Sequence, residues 1–502
     1  MYSKLQKVIN QKMLKTMSFL ALVFISFLGN AQTTRFGKFT ASGNASGSTW
    51  ANASSDIQAM INASSAGDEI WVQGLAGNAF VPNRKANATG TITPNDRDNA
   101  FVLKDGVKMY GGFFGDESSL QTRHGDITIL SGNIGSPTTN GDTARHVVIA
   151  AGLNTGTTFN QFHVRDGFAD GNGAITIPVN GQNIAQTAGG AIAVYGGSSL
   201  LITNCIFSDN NAALGGAIAN TNGAAPIIAT CTFTNNKAVG AYGGAIYSEG
   251  NSPMSIANST FTGNTATRGG AVYNIDSDLK ISASTFKDNS TSSFGSGFLG
   301  GAIHVNNSAL TLTNSVVSGN KAFSAGGIDI TGNNKSHLIA NCTITENTAV
   351  NNDGGGLWIG SQSSGVPMNL TLINCNISNN ACSVWGGALA NYGANVRVVN
   401  CTLAGNNGYT TIYTNGASGS AEVINSIIYG NNTAGQDAIY AFTNTTATAS
   451  GSIVQGATVF PGSYSNADPL FYNVATKDYR LLVGSPAVNT GNAFLRRKSC
   501  RR

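Results

Sequence analysis

The sequence predicts an all-β solenoid, a parallel β-helix with one coil per 25–33 residues, and three observations lead to this fold. Two short motifs recur at that period through the middle of the chain. Each period carries two or three short β-runs, such as residues 199–206, which Gly and Asn interrupt. Gly accounts for 63 of 502 residues and charged residues for only 10%, which argues against disordered chains and helical repeats.

The two motifs mark two fixed positions in each coil. A propeller blade needs roughly 40–50 residues, so coils stacked ~4.8 Å apart explain the period better. The first motif, Gly-Gly-Ala and an apolar residue, occurs at 189–192, 215–218, 243–246, 269–272, 300–303 and 386–389, with variants at 325–328 and 354–357. The second motif, apolar-x-x-Asn, occurs at 207–210, 233–236, 261–264, 286–289, 317–320, 344–347, 377–380, 403–406 and 428–431.

The residues just before the second motif predict a structural ladder. One slot holds Cys or Ser in every coil, which predicts a small inward position where free cysteine packs without forming a disulfide. The slot before it is mostly Asn, which tolerates left-handed backbone geometry and can ladder its amides at a turn. The cysteines are Cys205, Cys231, Cys342, Cys375 and Cys401, and the asparagines are Asn204, Asn258, Asn314, Asn341, Asn374, Asn400 and Asn425. Cys382 and Cys500 fall outside this pattern, and the sequence assigns them no role.

The two ends of the chain differ from its body. Residues 1–31 combine lysines, the apolar run 17–28 and small residues before position 32, which predicts a secretory signal peptide. No segment reaches the ~20 apolar residues of a membrane span. Nine of the 28 basic residues lie in the first 15 and last seven positions, which leaves 19 basic against 24 acidic residues elsewhere. The acidic body predicts no nucleic-acid partner, and 495–502 is an anomalous tail, either native or a frameshift or truncation.

Residues 32–184 are less regular and predict a cap followed by early coils. The spacing of Ile57, Met60 and Ile61 predicts a short helix within 54–65. Such a helix would cover the open end of a solenoid, although a separate globular domain is the alternative. Further strands are predicted at 69–73, 100–103, 107–113, 127–130 and 146–150.

Three stretches resemble known families. The pairing of Gly-Gly-Ala-Ile with Phe-x-x-Asn over 185–431 resembles the repeats of chlamydial polymorphic outer membrane proteins. The segment 101–113 resembles the opening of large secreted Bacteroidetes β-helix proteins. Residues 432–494, with Asn466-Ala-Asp-Pro-Leu-Phe and Gly484-Ser-Pro-Ala, resemble a choice-of-anchor Q domain. These resemblances imply a right-handed, pectin-lyase-like β-helix at the cell surface, closed by its C-terminal segment, and the basic tail departs from that pattern.

The sequence predicts no catalytic residue, no cofactor and no metal ligand. Resemblance to hydrolases of this fold would require Asn-Thr-Asp, Asp-Asp and Gly-His-Gly motifs, and the sequence has none of them. Within the repeats, Asp276 and Asp278 are spaced i, i+2 and Lys280 continues that face, yet a polar turn between coils explains them more simply. The five histidines show no metal-ligand spacing, and calcium is left open without a supporting motif.

One set of side chains predicts a ligand-binding stripe. The residue after each Gly-Gly-Ala-apolar unit follows an inward residue, so alternation turns it outward. In five consecutive coils this residue is aromatic or ionisable, and such side chains in line can bind sugar rings or a protein partner. The alternative is that the rings only cover coil edges or loops. The five residues are Tyr247, Tyr273, His304, Asp329 and Trp358.

These features predict an exported protein, extracellular or associated with the outer-membrane surface. We expect an adhesin-like binding scaffold for an extracellular glycan or surface protein, because the charge is low, the repeats are many and no catalytic cluster occurs. A polysaccharide lyase or hydrolase is the first alternative, and fold analogy alone supports it. A structural envelope protein is the second alternative.

Overall fold

The computed structural model describes residues 32–488, except 136–141, 155, 294, 362–365, 417–418 and 457–460. It is a parallel β-helix in which successive coils pair in parallel and build four sheets. A typical coil passes through sheets 1, 2, 3 and 4 in turn. The predicted fold is therefore confirmed. The predicted signal peptide, the basic tail and Cys500 lie outside the described residues.

Sheets 1 and 2 form two walls of the solenoid. Sheet 1 contains Phe101–Val102, Val148–Ala151, Ile192–Tyr195, Ile218–Thr221, Ile246–Glu249, Val272–Ile275, Ile303–Asn306, Ile328–Gly332, Leu357–Ser361, Leu389–Tyr392, Ile412–Asn415 and Ile439–Ala441. Sheet 2 contains Thr34–Gly37, Glu69–Gln73, Lys108–Phe113, Thr157–Asn160, Leu200–Thr203, Ile227–Ala229, Met254–Ala257, Leu279–Ser282, Leu310–Thr313, Ser336–Ala340, Asn369–Ile373, Asn395–Val399, Ser420–Ile424 and Thr446–Ser450.

Sheets 3 and 4 complete the coils. Sheet 3 contains Ala79–Phe80, Thr128–Ser131, Phe162–Arg165, Ile206–Ser208, Thr232–Thr234, Thr260–Thr262, Thr285–Lys287, Val316–Ser318, Thr343–Thr345, Asn376–Ser378, Thr402–Ala404, Ile427–Tyr429, Ser452–Val454 and Tyr464–Ser465. Sheet 4 contains Phe168–Ala169, Asn211–Leu214, Lys237–Tyr242, Thr265–Ala266, Ser290–Thr291, Lys321–Ala322, Thr348–Ala349 and Ala381–Cys382. Two antiparallel hairpins lie outside these sheets, Thr176–Val179 with Gln182–Ala185 and Phe471–Asn473 with Asp478–Leu481.

A short helix covers the first coil. It spans Ile57–Ala63, within the predicted range, and the Asp56 side chain caps its N-terminus by accepting from Ala59 N at 2.9 Å. Ile57, Met60 and Ile61 point into the main core. The described residues also contain 3₁₀ turns at Trp50–Asn52, Leu120–Thr122 and Val474–Thr476. None of the described helices has the length and hydropathy of a membrane-crossing segment.

Left-handed residues make the corners between sheets. The segment 199–206, predicted as one strand, divides into two because Asn204 adopts φ 54° between them. The asparagines predicted for this slot all have φ between 48° and 55°. The two glycines of each Gly-Gly pair are required for different reasons. Gly243 has φ 69°, and a Cβ on Gly244 would lie 2.1 Å from the Gly270 carbonyl oxygen of the next coil.

The core is one continuous apolar column inside the coils. Phe207, Phe233, Phe261 and Phe286 stack in register, with ring centroids 4.5–4.8 Å apart. The five cysteines of the predicted ladder are buried and free, as is Cys382, which lies in sheet 4. Burial raises the pKa of the Cys382 thiol to about 12, so this thiol stays protonated at neutral pH.

The second motif builds a buried amide ladder, which the sequence did not lead us to expect in this slot. Each Asn side chain donates through Nδ2 to Oδ1 of the Asn one coil later, at 2.8–3.0 Å. The same Oδ1 also accepts the backbone N–H of the preceding Asn. The ladder therefore satisfies polar groups that would otherwise be unpaired inside the protein. Its members are Asn210, Asn236, Asn264, Asn289, Asn320, Asn347, Asn380, Asn406 and Asn431.

The C-terminal segment 466–488, here called the clasp, lies along the outside of sheet 3. Phe471 packs against Ala404, Ile427 and Ile453, which belong to three successive coils. Tyr479 donates to Asn379 Oδ1 at 2.9 Å, and Lys477 pairs with Glu346 further back. The resemblance had implied that this segment closes the end of the β-helix. Its described contacts lie along the side, where the outer face of sheet 3 becomes apolar, and closure of the end stays a prediction.

Candidate functional site

The five residues of the predicted stripe lie in one register column on sheet 1. Tyr247 pairs with Tyr273, Tyr273 with His304, His304 with Asp329, and Asp329 with Trp358. The column therefore follows the helix axis with one residue per coil, as the alternation argument predicts for this slot. Its members do not belong to the main apolar core.

This outer column is almost fully covered. Tyr247, Tyr273, His304 and Asp329 are exposed by 5%, 3%, 1% and 1%. The rings stack on one another, with Tyr247 5.6 Å and His304 4.7 Å from Tyr273 between ring centroids. Stacking along the column occupies the ring faces that a sugar would contact. Four of the five residues are thus shielded from a ligand in this conformation, and the binding role of the stripe stays a prediction.

Residues of sheet 4 and its loops cover the column. The ring of Tyr242 stacks on Tyr273 at 4.6 Å, and the Arg268 guanidinium lies 5.8 Å from the Tyr242 ring centroid. Arg268 in turn donates to the Gly297 carbonyl at 3.0 Å. Burial and the neighbouring Glu249 raise the pKa of the Tyr247 hydroxyl, which donates to Glu249 Oε2 at 2.5 Å.

His304 and Asp329 form a buried side-chain contact at the centre of the column. The His304 Nδ1 atom lies against the Asp329 carboxylate, and both side chains are 1% exposed. Within the described residues, His304 Nε2 has no hydrogen-bond partner. A general acid or base must come within hydrogen-bond reach of its substrate, and this pair is enclosed. The arrangement therefore favours a packing role over proton transfer to a bound substrate.

The column continues into a partly exposed group of rings, here called the aromatic cluster. Beyond Trp358 and Ala390, the register leads to Tyr413 and Tyr440. Trp385 stacks on these two tyrosines at 5.1 and 5.5 Å between ring centroids. The cluster comprises Trp358, Trp385, Tyr392, Tyr409, Tyr413 and Tyr440.

Asp353 holds one side of the aromatic cluster in place. Its carboxylate accepts the Trp385 backbone N–H at 2.8 Å and the Tyr392 hydroxyl. Tyr409 packs edge-on against Trp385 at 5.1 Å and is 43% exposed. Sequence reasoning missed Tyr413 and Tyr440 because their coils lack Gly-Gly-Ala, although Ile412 and Ile439 keep the apolar position before each ring.

A polar groove of about 410 Å³ lies at the corners between sheets 1 and 2. Asp276 and Asp278 lie in the turn between Val272–Ile275 and Leu279–Ser282 rather than along a strand. Asp276 accepts from Asn307 Nδ2 at 2.6 Å, and Asp278 accepts from Ala309 N at 3.2 Å. Lys280 lies on sheet 2, outside the groove. The lining residues are Asn251, Pro253, Asp276, Ser277, Asp278, Asn307 and Lys335.

The fold brings together one group of metal-ligand types that the sequence did not indicate. Possible ligand atoms of Asp116, Glu117 and His124 lie within 4.8 Å of one another. The Glu117 carboxylate, however, accepts four backbone N–H groups, from 114–116 and 124, at 2.7–3.3 Å. Burial alone would raise the pKa of Glu117, and these bonds hold it below its usual value. The group is therefore explained as a turn capped by Glu117.

Comparisons with known proteins agree with the architecture. A family model described as the right-handed beta helix region matches residues 168–344 and 301–473, together more than half of the chain. No protein of curated function matches the sequence.

Two solved structures align over most of their length. The A-module of mannuronan C-5 epimerase AlgE4 from Azotobacter vinelandii shares 12% identity, with 82% of this chain and 90% of that chain covered and a TM-score of 0.27. Endo-xylogalacturonan hydrolase from Aspergillus tubingensis shares 10%, with 86% and 100% covered and a TM-score of 0.26. Both likenesses are too distant to carry information about activity. The family match is sufficient by itself, and the chain belongs to the right-handed β-helix family.

Proposed function

We propose that the protein is an exported β-helix, secreted or held at the cell surface, that acts as an adhesin-like scaffold for an extracellular glycan or surface protein. The observation that carries this proposal is the aromatic cluster at the surface of sheet 1. Trp and Tyr are the residue types that dominate binding energy at interfaces, and here six rings from adjacent coils lie together.

The cluster is held rigidly before any ligand arrives. Trp385 is fixed by its backbone bond to Asp353 and by stacking on Tyr413 and Tyr440. A side chain that is already ordered loses little entropy on binding, so more of its contact energy appears as affinity. Tyr409 is the most exposed ring of the cluster and is the first contact we expect a ligand to make.

Binding to glycans and cells tests the proposal. The purified chain is incubated with immobilised plant, algal and host polysaccharides and with cell surfaces, and retention is measured. We expect retention on at least one of them, and its loss in Trp385→Ala and Tyr409→Ala. The control is Tyr472→Ala, because Tyr472 is 61% exposed on the clasp, away from the cluster. Retention that survives both cluster substitutions would contradict the assignment.

Export and surface location rest on the pattern of residues 1–31 and on the resemblances to polymorphic outer membrane proteins and to secreted Bacteroidetes β-helix proteins. The chain is expressed with and without residues 1–31 in a bacterium that secretes such proteins, and cell fractions are probed. We expect the full chain outside the inner membrane and the truncated chain inside it. Equal distribution of the two would contradict export.

The polar groove favours the enzymatic alternative, a polysaccharide lyase or hydrolase. It places two carboxylates and an amine, Asp276, Asp278 and Lys335, at one open surface, and glycoside cleavage uses paired carboxylates. The same incubations are assayed for new reducing ends and unsaturated products, with and without calcium. If the chain cleaves a polysaccharide and Asp276→Asn and Asp278→Asn abolish that cleavage, the enzymatic alternative would be favoured over the binding scaffold.

A further inference from the structure

A second surface, on sheet 3, has a different chemistry. The outward positions of five successive strands, from Thr232–Thr234 to Thr343–Thr345, form two parallel columns, here called the hydroxyl face. Eight of its ten residues carry a hydroxyl group, one is Val316, and Lys287 alone is charged. The ten are Thr232, Thr234, Thr260, Thr262, Thr285, Lys287, Val316, Ser318, Thr343 and Thr345.

The hydroxyl face is regular in both directions. Its five strands pair in unbroken register, so residues repeat every ~4.8 Å along a column and the columns lie ~6.6 Å apart. The residues between the columns, Phe233, Phe261, Phe286, Val317 and Ile344, are fully buried and stacked below. The buried amide ladder runs along the same edge of sheet 3. Both features hold the array in a fixed plane.

The hydroxyl groups are available to water. Within the described part of the chain, the side chains of Thr232, Thr234, Thr260 and Thr262 have no hydrogen-bond partner in the protein. Where the same face becomes apolar, at Ala404 and Ile427, the clasp covers it. The clasp thus covers later strands of sheet 3, including the polar Asn376 and Thr402 beside it, and the ten residues of the hydroxyl face lie on earlier strands.

The shape and composition of this face select its ligand. It lies on the outer side of strands that pair in unbroken register, whereas small molecules bind in concave sites. It has no Trp, Tyr or Arg, the residues that anchor protein partners. A rigid plane of methyl and hydroxyl groups at two fixed spacings can instead match a solid whose own surface is periodic. The ~4.8 Å repeat along each column is close to one repeat of the water oxygens on a prism face of ice.

We propose that the hydroxyl face binds ice. The threonine hydroxyl groups take positions in the water lattice, and the methyl groups order the water between them. Lys287 interrupts one column, and its ammonium group lies 3.8 Å from Asp288 at the neighbouring corner. This activity uses a different wall of the solenoid from the aromatic cluster, so either can fail without the other.

Ice affinity and the growth of ice grains test this proposal. The purified chain, fluorescently labelled, is offered to a slowly growing ice hemisphere, and grain coarsening is followed in parallel. We expect incorporation into the ice and arrested coarsening. Thr260→Tyr should abolish both, because a ring projecting from within the array holds the surface off the ice lattice. Lys287→Thr should increase both by completing the column.

The matched control is Thr311→Tyr, which makes the same change at an outward position of sheet 2. We expect this variant to be incorporated into ice to the same extent as the unmodified chain. Circular dichroism verifies that each variant is folded. Exclusion of the unmodified chain from ice would overturn the proposal, as would equal activity of Thr260→Tyr. Retention on crystalline cellulose or chitin, without retention in ice, would also overturn it.

Discussion

Two asparagine columns run along neighbouring corners of the same coils, and they serve different purposes. Asn314 turns the chain between sheets 2 and 3 with φ 51°, and its exposed Oδ1 accepts from Asn341 Nδ2 at 3.2 Å. Asn320, six residues later, has an ordinary backbone and a fully buried side chain that bridges three coils. In the first column Asn is repeated mainly for its left-handed backbone, with exposed amide bonds between some of its coils, and in the second column it is repeated for its buried amide. A repeated residue therefore does not by itself reveal which of its atoms matters.

Replacing Asn320 by Ala should have the largest effect. Its Oδ1 accepts two N–H groups of Asn289, and its Nδ2 donates to Asn347 Oδ1 and to the Phe286 carbonyl. The substitution leaves several of these groups buried without a hydrogen-bond partner, which should lower the free energy of unfolding by roughly 3–5 kcal/mol. Urea unfolding of the variant and the unmodified chain measures this difference. A loss below about 1 kcal/mol would show that the ladder is not a main support of the fold.

His337 shows what a buried polar side chain costs without such a ladder. It occupies an inward slot of sheet 2, between Leu310 and Leu370 of adjacent coils. Its Nδ1 accepts from Leu310 N at 3.3 Å, and within the described residues its Nε2 has no partner. Burial lowers the pKa of His337 from its ordinary value of 6.5 to about 4.

The folded protein therefore holds His337 neutral, while the unfolded chain protonates it below pH 6.5. Its contribution to stability is complete above pH 6.5 and is lost as the pH falls to about 4, by roughly 3 kcal/mol. Thermal unfolding between pH 7 and 4 should show His337→Leu declining less than the unmodified chain. Some decline remains, because burial also lowers the pKa of His146 to about 4. If stability falls equally with pH in His337→Leu and in the unmodified chain, His337 does not cause the decline. The control is His124→Gln, because the His124 side chain is exposed.

Replacing Asn314 should have the smallest effect. Gly adopts its φ of 51° without strain, so Asn314→Gly should change the free energy of unfolding by less than about 0.5 kcal/mol. Asn314→Ala should cost about 1 kcal/mol, because Ala strains in the left-handed region. Ala283 already occupies the same slot one coil earlier with φ 46°, so the strain is tolerated. Urea unfolding of Asn314→Ala and Asn320→Ala under the same conditions provides the comparison. Equal losses in the free energy of unfolding would show that the two asparagine columns do not differ in their contribution to stability.

The sequence predicted what recurs once per coil. The period, the inward anchors such as Phe233 and the small slot of Cys231 follow from stacking identical positions. The column from Tyr247 to Trp358 was predicted as a line of residues, but its burial was not. That burial depends on Tyr242 and Arg268, from segments that do not repeat regularly.

Contacts between distant segments could also not be predicted from the sequence. The clasp joins Lys477 to Glu346 across 131 residues, and no local pattern links those positions. The aromatic cluster requires Trp385 of one loop to meet Tyr413 and Tyr440 from two later coils. The Asn of apolar-x-x-Asn was visible in every period. Its burial could not be read from the sequence, because Asn is common at exposed turns as well.

The buried amide ladder makes each coil an interchangeable unit. From Asn210 to Asn406, each Oδ1 accepts from the coil before it and each Nδ2 donates to an Oδ1 in the coil after it, so the amide-to-amide bonds all run in one direction. Removing or duplicating one whole coil leaves every donor facing an acceptor, whereas removing half a coil leaves both unmatched. The solenoid can therefore change its length by recombination in steps of one coil, and its surfaces lengthen or shorten with it.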